Sequence, residues 1–276
     1  MKNSKLWRGA MAALLAGAMG IPVLAQSGSA EKPAPANSQE ESRAQSALVG
    51  AQYDQQIQQE VTSELKNHDW AKDVRSSVQD GIVTLEGTVP MYSDKVRAYD
   101  KIHNKDHVQG VRNLIVVKGK EVPDQELAKN LADRLRYDRI DMGQMFNNFN
   151  LAVNNGVVTI GGQARTPTDA ASALAIVENT QGVKGLVDDI KILPTSPMDD
   201  ETRIRVARAI YGDSVMQKYA MDPQSPIRIV VDNGHVTLYG VVDSQMDKQI
   251  AETRARQVPN VFSVTDKLVV ATQKSK

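Results

Sequence analysis

Apolar side chains recur at every fourth position at Ile57, Val61 and Leu65, again at Leu127, Leu131 and Leu135, and again at Val206 and Ile210 behind Thr202. That recurrence lines one side of a helix, so each set predicts a helix with a single buried stripe. An aspartate opens each helix, Asp54, Asp124 and Asp199 or Asp200. A carboxylate there is expected to accept from the unpaired first-turn amides and to suit the helix dipole. Downstream the period changes to alternation, in QDGIVTLEGTV (79–89), NNGVVTIGGQA (154–164) and DNGHVTLYGVV (232–242). Asp80-Gly81, Asn155-Gly156 and Asn233-Gly234 are pairs that accept the two positive φ angles of a type I′ turn, so each stretch predicts a tight hairpin with Gly81, Gly156 and Gly234 as turn glycines. A second glycine, Gly87, Gly161 or Gly162, and Gly240, interrupts each outgoing strand and predicts a bulge or a close backbone approach.

After each hairpin a polar turn, Ser93-Asp94, Thr168-Asp169 or Ser244, leads into a second helix with expected inward stripes Val96, Tyr99 and Ile102; Ala173, Ile176 and Val177; and Ile250, Ala251 and Ala255. A closing strand follows in VQGVRNLIVV, TQGVKGLVDDIKI and VPNVFSVTDKLVV. The fold class is therefore α+β: three tandem αββαβ modules, each with two helices packed on one side of a three-stranded mixed sheet. The helical crossover lets the closing strand run parallel to the second strand, with right-handed connection. The turn glycines lie 75 and then 78 residues apart, which places the modules at 53–120, 121–195 and 196–272. Units this small have marginal cores, so contacts between modules are expected.

Residues 1–25 stand apart. Lys2, Lys5 and Arg8 precede an apolar run from Ala10 to Leu24 that ends in Val23-Leu24-Ala25, the pattern of a cleaved secretory leader. The run is short for a helix crossing roughly 30 Å of hydrocarbon. Residues 26–52, rich in Ser, Ala, Gln, Glu and Pro, read as a flexible tether. The chain has no cysteine, which excludes disulfides and a thioether-linked lipid. The expected location is the periplasm, or the medium outside the cell. With 33 basic and 33 acidic side chains, three of the cations in the leader, the remainder is mildly acidic and gives no support to nucleic-acid binding.

Taken together, DGIVTLEGTV, NGVVTIGGQA and NGHVTLYGVV, each followed by a helix and then by VQGV, TQGV or VPNV, resemble the BON family over roughly residues 53 to 272. Two departures stand out. The first closing strand, VQGVRNLIVV, is compressed and lacks the Val-x-Asp/Asn-x-Leu rhythm of VTDKLVV, which leaves its register open, and the second has Asp188-Asp189 where one polar residue is more usual. The resemblance implies attachment rather than chemistry: phospholipid binding, envelope integrity and protection under osmotic stress, with no catalytic residues to carry over. The partner it implies is an anionic phospholipid or an envelope protein, met peripherally. A protein adapter or self-assembling scaffold is the alternative, and a polysaccharide binder is disfavoured by the single tryptophan, Trp70, beyond the leader.

Among candidate sites, His103 and His107 stand four apart on a predicted helix, but zinc needs a further protein ligand, and none is placed to serve; no metal or cofactor is expected. Neither Gly-x-Ser-x-Gly nor His-Glu-x-x-His occurs, so no enzyme is expected. Lys95, Arg97, Lys101 and Lys105 make the second half of the first module cationic and suited to an anionic lipid surface. The second and third modules are lengthened between first helix and hairpin by RYDRIDMGQMFNNF and YGDSVMQKYAMDPQSP. Tyr137, Met142, Met145, Phe146, Tyr211, Met216, Tyr219 and Met221 in these insertions are candidate contact formers, or else cap the open end of the sheet.

Overall fold

The computed structural model describes residues 36–137, 145–221 and 227–271, with side chains from residue 50 onward except that of Tyr137. The leader, residues 26–35 of the tether, Met142 and the side chain of Tyr137 therefore lie outside the described residues. The first module comprises α1 (Ala36–Lys66), β1 (Val74–Gln79), β2 (Ile82–Val89), α2 (Tyr92–Ile102) and a closing strand in two pieces, β3 (Gly110–Asn113) and β4 (Val116–Val117). The second comprises α3 (Asp124–Tyr137), β5 (Asn148–Asn154), β6 (Val157–Ala164), α4 (Pro167–Glu178) and β7 (Gly185–Ile192). The third comprises α5 (Pro197–Tyr211), a short α6 (Gln217–Met221), β8 (Arg228–Asp232), β9 (His235–Val242), α7 (Gln245–Arg256) and β10 (Ser263–Val270). The order αββαβ thus occurs three times, in three separate sheets with the second hairpin strand at each centre. The family resemblance read from the hairpins holds in all three copies.

The expected tether is a correction: its second half is helical, since α1 begins at Ala36. Ala, Gln and Glu are good helix formers, and a segment continuous with an existing helix propagates it without a new nucleus.

Each hairpin closes on the expected two-residue turn, with Gln79 paired to Ile82, Asn154 to Val157 and Asp232 to His235. Both turn residues have positive φ in every copy, 52° and 73° at Asp80-Gly81, 51° and 77° at Asn155-Gly156, 51° and 76° at Asn233-Gly234. The aspartates do something other than the capping expected of them. Asp54 lies well inside α1, and the third module's helix is capped by Ser196, whose hydroxyl accepts from the Asp199 amide. The carboxylates instead clamp the hairpin turns: Asp54 accepts from the Asp80 and Gly81 amides at 2.8 and 2.8 Å, Asp124 from Asn155 and Gly156 at 2.7 and 2.9 Å, and Asp199 from Asn233 and Gly234 at 2.9 and 2.9 Å. A type I′ turn points these two amides away from its own strands, and a helix-borne carboxylate satisfies both. In the second hairpin the interrupting glycine is Gly162, at φ 111°, where a Cβ would strike the Asn148 carbonyl across the pair. Close backbone approach is the reason for glycine there.

The first closing strand keeps the common register. Ile82 pairs with Gly110 and Thr88 with Val116, the same 28-residue offset that pairs Val157 with Gly185 and His235 with Ser263. Its apparent departure disappears once Val111, Asn113 and Ile115 are set beside Val264, Asp266 and Leu268. The polar side chain in each trio folds back on its own strand: Asn113, Asp188 and Asp266 each accept from the amide two residues on, Ile115, Ile190 and Leu268, at 3.2, 3.0 and 2.8 Å. In the first and third modules a lysine of the second helix, Lys95 or Lys248, donates to the carbonyl of that same residue, Ile115 or Leu268, at 2.7 and 2.6 Å.

Three cores result. Ile57, Val61 and Leu65 pack on Val83, Leu85, Ala98 and Ile102; Leu127 and Leu131 pack on Val158, Ile160, Ala173 and Val177; Val206 and Ile210 pack on Ile229, Val231, Leu238 and Ala251. The stripe of α2 is a second correction: Ala98 and Ile102 face the core and Tyr99 is exposed. The expected turns before the second helix are a third: Ser93-Asp94 lies inside α2 and Thr168-Asp169 inside α4, which is capped by Thr166 with Pro167 at the first helical position.

The modules touch. Tyr92 packs against both the first and second cores. Between the second and third, Phe146 enters the third core with Met145 against it, Arg165 pairs with Asp200 at 3.3 Å, and Lys191 with Asp232 at 3.2 Å. Asp200 also holds Arg203 at 2.6 Å, a fully buried guanidinium that donates onward to the Val231 carbonyl.

Candidate functional site

The cationic set of the first module is drawn into the module's own contacts. Lys95 is occupied by the Ile115 carbonyl, and burial pushes its pKa down. Arg97 pairs with Asp94 at 2.9 Å, and Lys105 and Lys101 converge on Glu64 of α1 at 3.0 and 3.8 Å. The Lys105 hydrogen bond, ahead of the other neighbours, holds the Glu64 carboxyl below its ordinary range. His103 and His107 do not share a helix: α2 ends at Ile102, and His107 sits at φ 63° with its ring against Tyr53 at 4.2 Å, while His103 stacks on Tyr99 at 4.8 Å.

The insertion residues divide by burial. Phe146 is 2% and Met216 0% exposed, so neither offers surface to a ligand. Tyr211 is half-buried, its hydroxyl donating to the Ile227 carbonyl at 2.8 Å. Tyr219 donates to Asp247 at 2.6 Å and accepts from the Asp243 amide at 2.7 Å, while Lys218 bonds Asp243 and Asp247 at 2.8 and 2.9 Å. This network pins α6 to the start of α7. Met145 is half-buried on the third core, while Met221, 84% exposed, and Val215, 43% exposed, are left free to make a contact.

Burial first, and then the hydrogen bond to Asp247, push the Tyr219 hydroxyl up to about 12. Its folded pKa lies above the ordinary phenol value of about 10, so its stabilisation is complete below that pH and is lost as pH rises through the folded value. The unfolding free energy of the wild type is expected to fall between about pH 10 and 12, and Tyr219→Phe to lessen that slope, as denaturant titrations at several alkaline pH values will read.

A site emerges where the modules differ. The groove between the first helix and the loop after the second helix exists in the second and third modules, with volumes of about 390 and 530 Å³. Ten residues after each clamp aspartate the chain carries Glu64, Arg134 and Ala209. Glu64 binds the lysines described above. Arg134 crosses its groove to the Asn179 carbonyl at 2.9 Å and the Thr180 hydroxyl at 2.7 Å, beside Asp133 and Glu126. Ala209 is too short to cross, and its groove is walled by Arg205, Arg208 and Arg254, with Pro259 at the loop side. Arg254 grips Asp213 through two nitrogens at 2.9 and 2.7 Å, which holds that carboxyl below its usual range. Arg205 pairs with Glu201, whereas Arg208 stands exposed without an ion pair among the described residues. Beyond the Arg254–Asp213 pair lies a second hollow of about 420 Å³, where Val215, Met246 and Ile250 stand among Ser214, Gln249 and Thr253. The arrangement has a cationic half and a partly apolar half, and can hold an anionic amphiphile. The run RIRVAR (203–208) shows three arginines, but only the fold separates the buried Arg203 from the two that wall the groove. Aligning the three modules on Asp54, Asp124 and Asp199 exposes the change from Glu60, Ser63 and Glu64 through Asn130, Asp133 and Arg134 to Arg205, Arg208 and Ala209.

The repeated helix-clamped hairpin defines a tandem-repeat protein of small α+β modules. Residues 53–119, 123–194 and 212–272 match the BON domain, more than half of the chain, and the chain belongs to the BON domain family. The third match begins after α5, which nevertheless packs on β8 and α7 as the first helix packs in the other modules. No curated protein matches the chain. Among solved structures it is similar to CdsD, a structural protein of the type III secretion system of Chlamydia trachomatis, at 15% identity over 78% of this chain and 91% of that one with a TM-score of 0.23. It is also similar to the periplasmic domain of the type III secretion inner membrane protein PrgH from S. typhimurium, at 9% identity over 74% and 96% with a TM-score of 0.18. Among the described residues no helix is long and apolar enough to cross a membrane.

Proposed function

We propose that the protein is a non-enzymatic envelope protein of the periplasm whose BON modules attach it peripherally to anionic phospholipid surfaces, in support of envelope integrity under osmotic or related stress. The observation that carries this reading is the third module's groove, where Arg208 has no ion pair among the described residues and a partly apolar hollow adjoins the arginines. Each cation near an anionic lipid surface adds about 1 kcal/mol. Arg208→Glu is therefore expected to weaken co-sedimentation with phosphatidylglycerol vesicles on the order of tenfold at low salt, with thermal unfolding unchanged. Failure of the wild type to sediment at low salt counts against the reading, and equal sedimentation of the variant removes the groove from it.

A protein scaffold is the second reading. It is favoured by the joint between the second and third modules, where Phe146, Arg165–Asp200 and Lys191–Asp232 together present two modules as one block.

A further inference from the structure

The hairpin end of the third module carries two apolar side chains, Phe262 and Met198, that are 75% and 64% exposed, more than Tyr53 and Ile82 of the first hairpin end or Val157 of the second, at 42, 41 and 41%. In every copy the residue after the second helix's loop donates its backbone amide to the turn glycine carbonyl: Gln109 to Gly81, Lys184 to Gly156 and Phe262 to Gly234, at 2.8, 2.8 and 2.9 Å. The side chain at this position lies over the turn, and in the third module it is a phenylalanine 75% exposed, its ring edge-on to that of His235 with centroids 6.1 Å apart. The second side chain of the pair belongs to the residue before the clamp aspartate. It is Tyr53, packed against His107, in the first module, Pro123 in the second, and Met198, 64% exposed, in the third. Asp199 joins the two, since its carboxylate grips the amides of Asn233 and Gly234 between them.

Leaving a phenyl ring and a thioether in water at the rim of a turn forgoes the stabilisation that burial gives the core side chains of this module. A polar residue would serve the turn equally, as Gln109 and Lys184 do. The surroundings indicate the occupant. Pro259, three residues before Phe262, lines the groove that holds Arg205 and Arg208, so the loop that carries Phe262 also borders the arginines. The acids at this end are committed, Asp199 to the turn, Asp232 to Lys191, and Glu201 to Arg205. Two isolated apolar side chains beside a rigid turn, one of them on a loop that also borders Arg208, suit the interface of an anionic bilayer, where rings enter between headgroups and an arginine stays at the phosphates. A protein partner would call for a wider, flatter apolar area around them.

We infer that Phe262 and Met198 form a wedge that enters an anionic bilayer and orients the third module on it. The inference rests on the phospholipid reading above and adds the residues and the depth. The chain has no cysteine, so Phe262→Cys in the full protein gives a unique attachment point for an environment-sensitive fluorophore, and Lys184→Cys gives the matched control in the second module. With vesicles of phosphatidylglycerol and phosphatidylethanolamine, the label at 262 is expected to shift to the blue and to be quenched by brominated acyl chains, and the label at 184 to do neither. Phe262→Ser is expected to weaken vesicle binding on the order of tenfold, and Phe262→Leu to retain most of it. An unchanged label at 262 on protein that sediments with vesicles overturns the wedge and leaves the phospholipid reading standing. A wild type that does not sediment overturns both. A blue shift that follows protein concentration without vesicles assigns the ring to a second copy and overturns the wedge.

Discussion

Phe146→Ala is expected to destabilise the third module by about 3–5 kcal/mol, the range for truncating a buried phenylalanine, although the residue lies in the second module's stretch of chain. Phe146 is 2% exposed and belongs to the cluster of Val206, Ile210, Met216, Ile227 and Leu238. Removing the ring leaves a void that backbones fixed by β8, β9 and α5 close only in part. A chain of three modules need not unfold in one step, so a single melting temperature is a poor readout. Hydrogen exchange is better: amides of β8 and β9 lose protection in the variant while those of β6 lose less. The opposite order places the ring's contribution in the second module and refutes the shared core.

Asp199→Ala is the second large effect, expected at about 3–4 kcal/mol. Hydrogen bonds to charged groups contribute about 1.5–3 kcal/mol each, and this carboxylate makes two. Its side chain is 3% exposed and the bond it makes to the Gly234 amide is buried, so water cannot replace it. The equivalent bonds of Asp54 and Asp124 lie nearer solvent. Asp54→Ala and Asp124→Ala are expected to cost less, about 1–2 kcal/mol each. Urea titration of the three single variants checks the order, and equal losses would mean that turn amides, not burial, set the size of the effect.

The two patterns that bury apolar surface were legible in the chain. A four-residue period at Ile57, Val61 and Leu65 and alternation around Val158 and Ile160 are imposed by helix and strand geometry, and both lie in the cores as expected. The turns were legible because few residue pairs accept two positive φ angles. What escaped was chemistry acting across distance. An aspartate at the start of a helix looks like a cap, and only the fold carries its carboxylate to a turn about thirty residues later. Lys95, Lys101 and Lys105 look like a free cationic surface until Glu64 and the Ile115 carbonyl come beside them. Met216 and Tyr219 lie in an insertion that the sequence leaves open between contact surface and a cap on the sheet, and the fold takes the second, supplying both side chains to the third core.

The closing strands carry one more consequence. In the first and third modules the outermost strand has backbone groups already engaged near its far end, where Ile115 and Leu268 are taken by Asn113 and Lys95 or by Asp266 and Lys248. A foreign extended segment approaching that border finds the backbone groups of one residue already taken, which interrupts a ladder there. An incoming strand has to displace the module's own bonds at that residue before it can pair past it, which raises the barrier to joining two such sheets through this border.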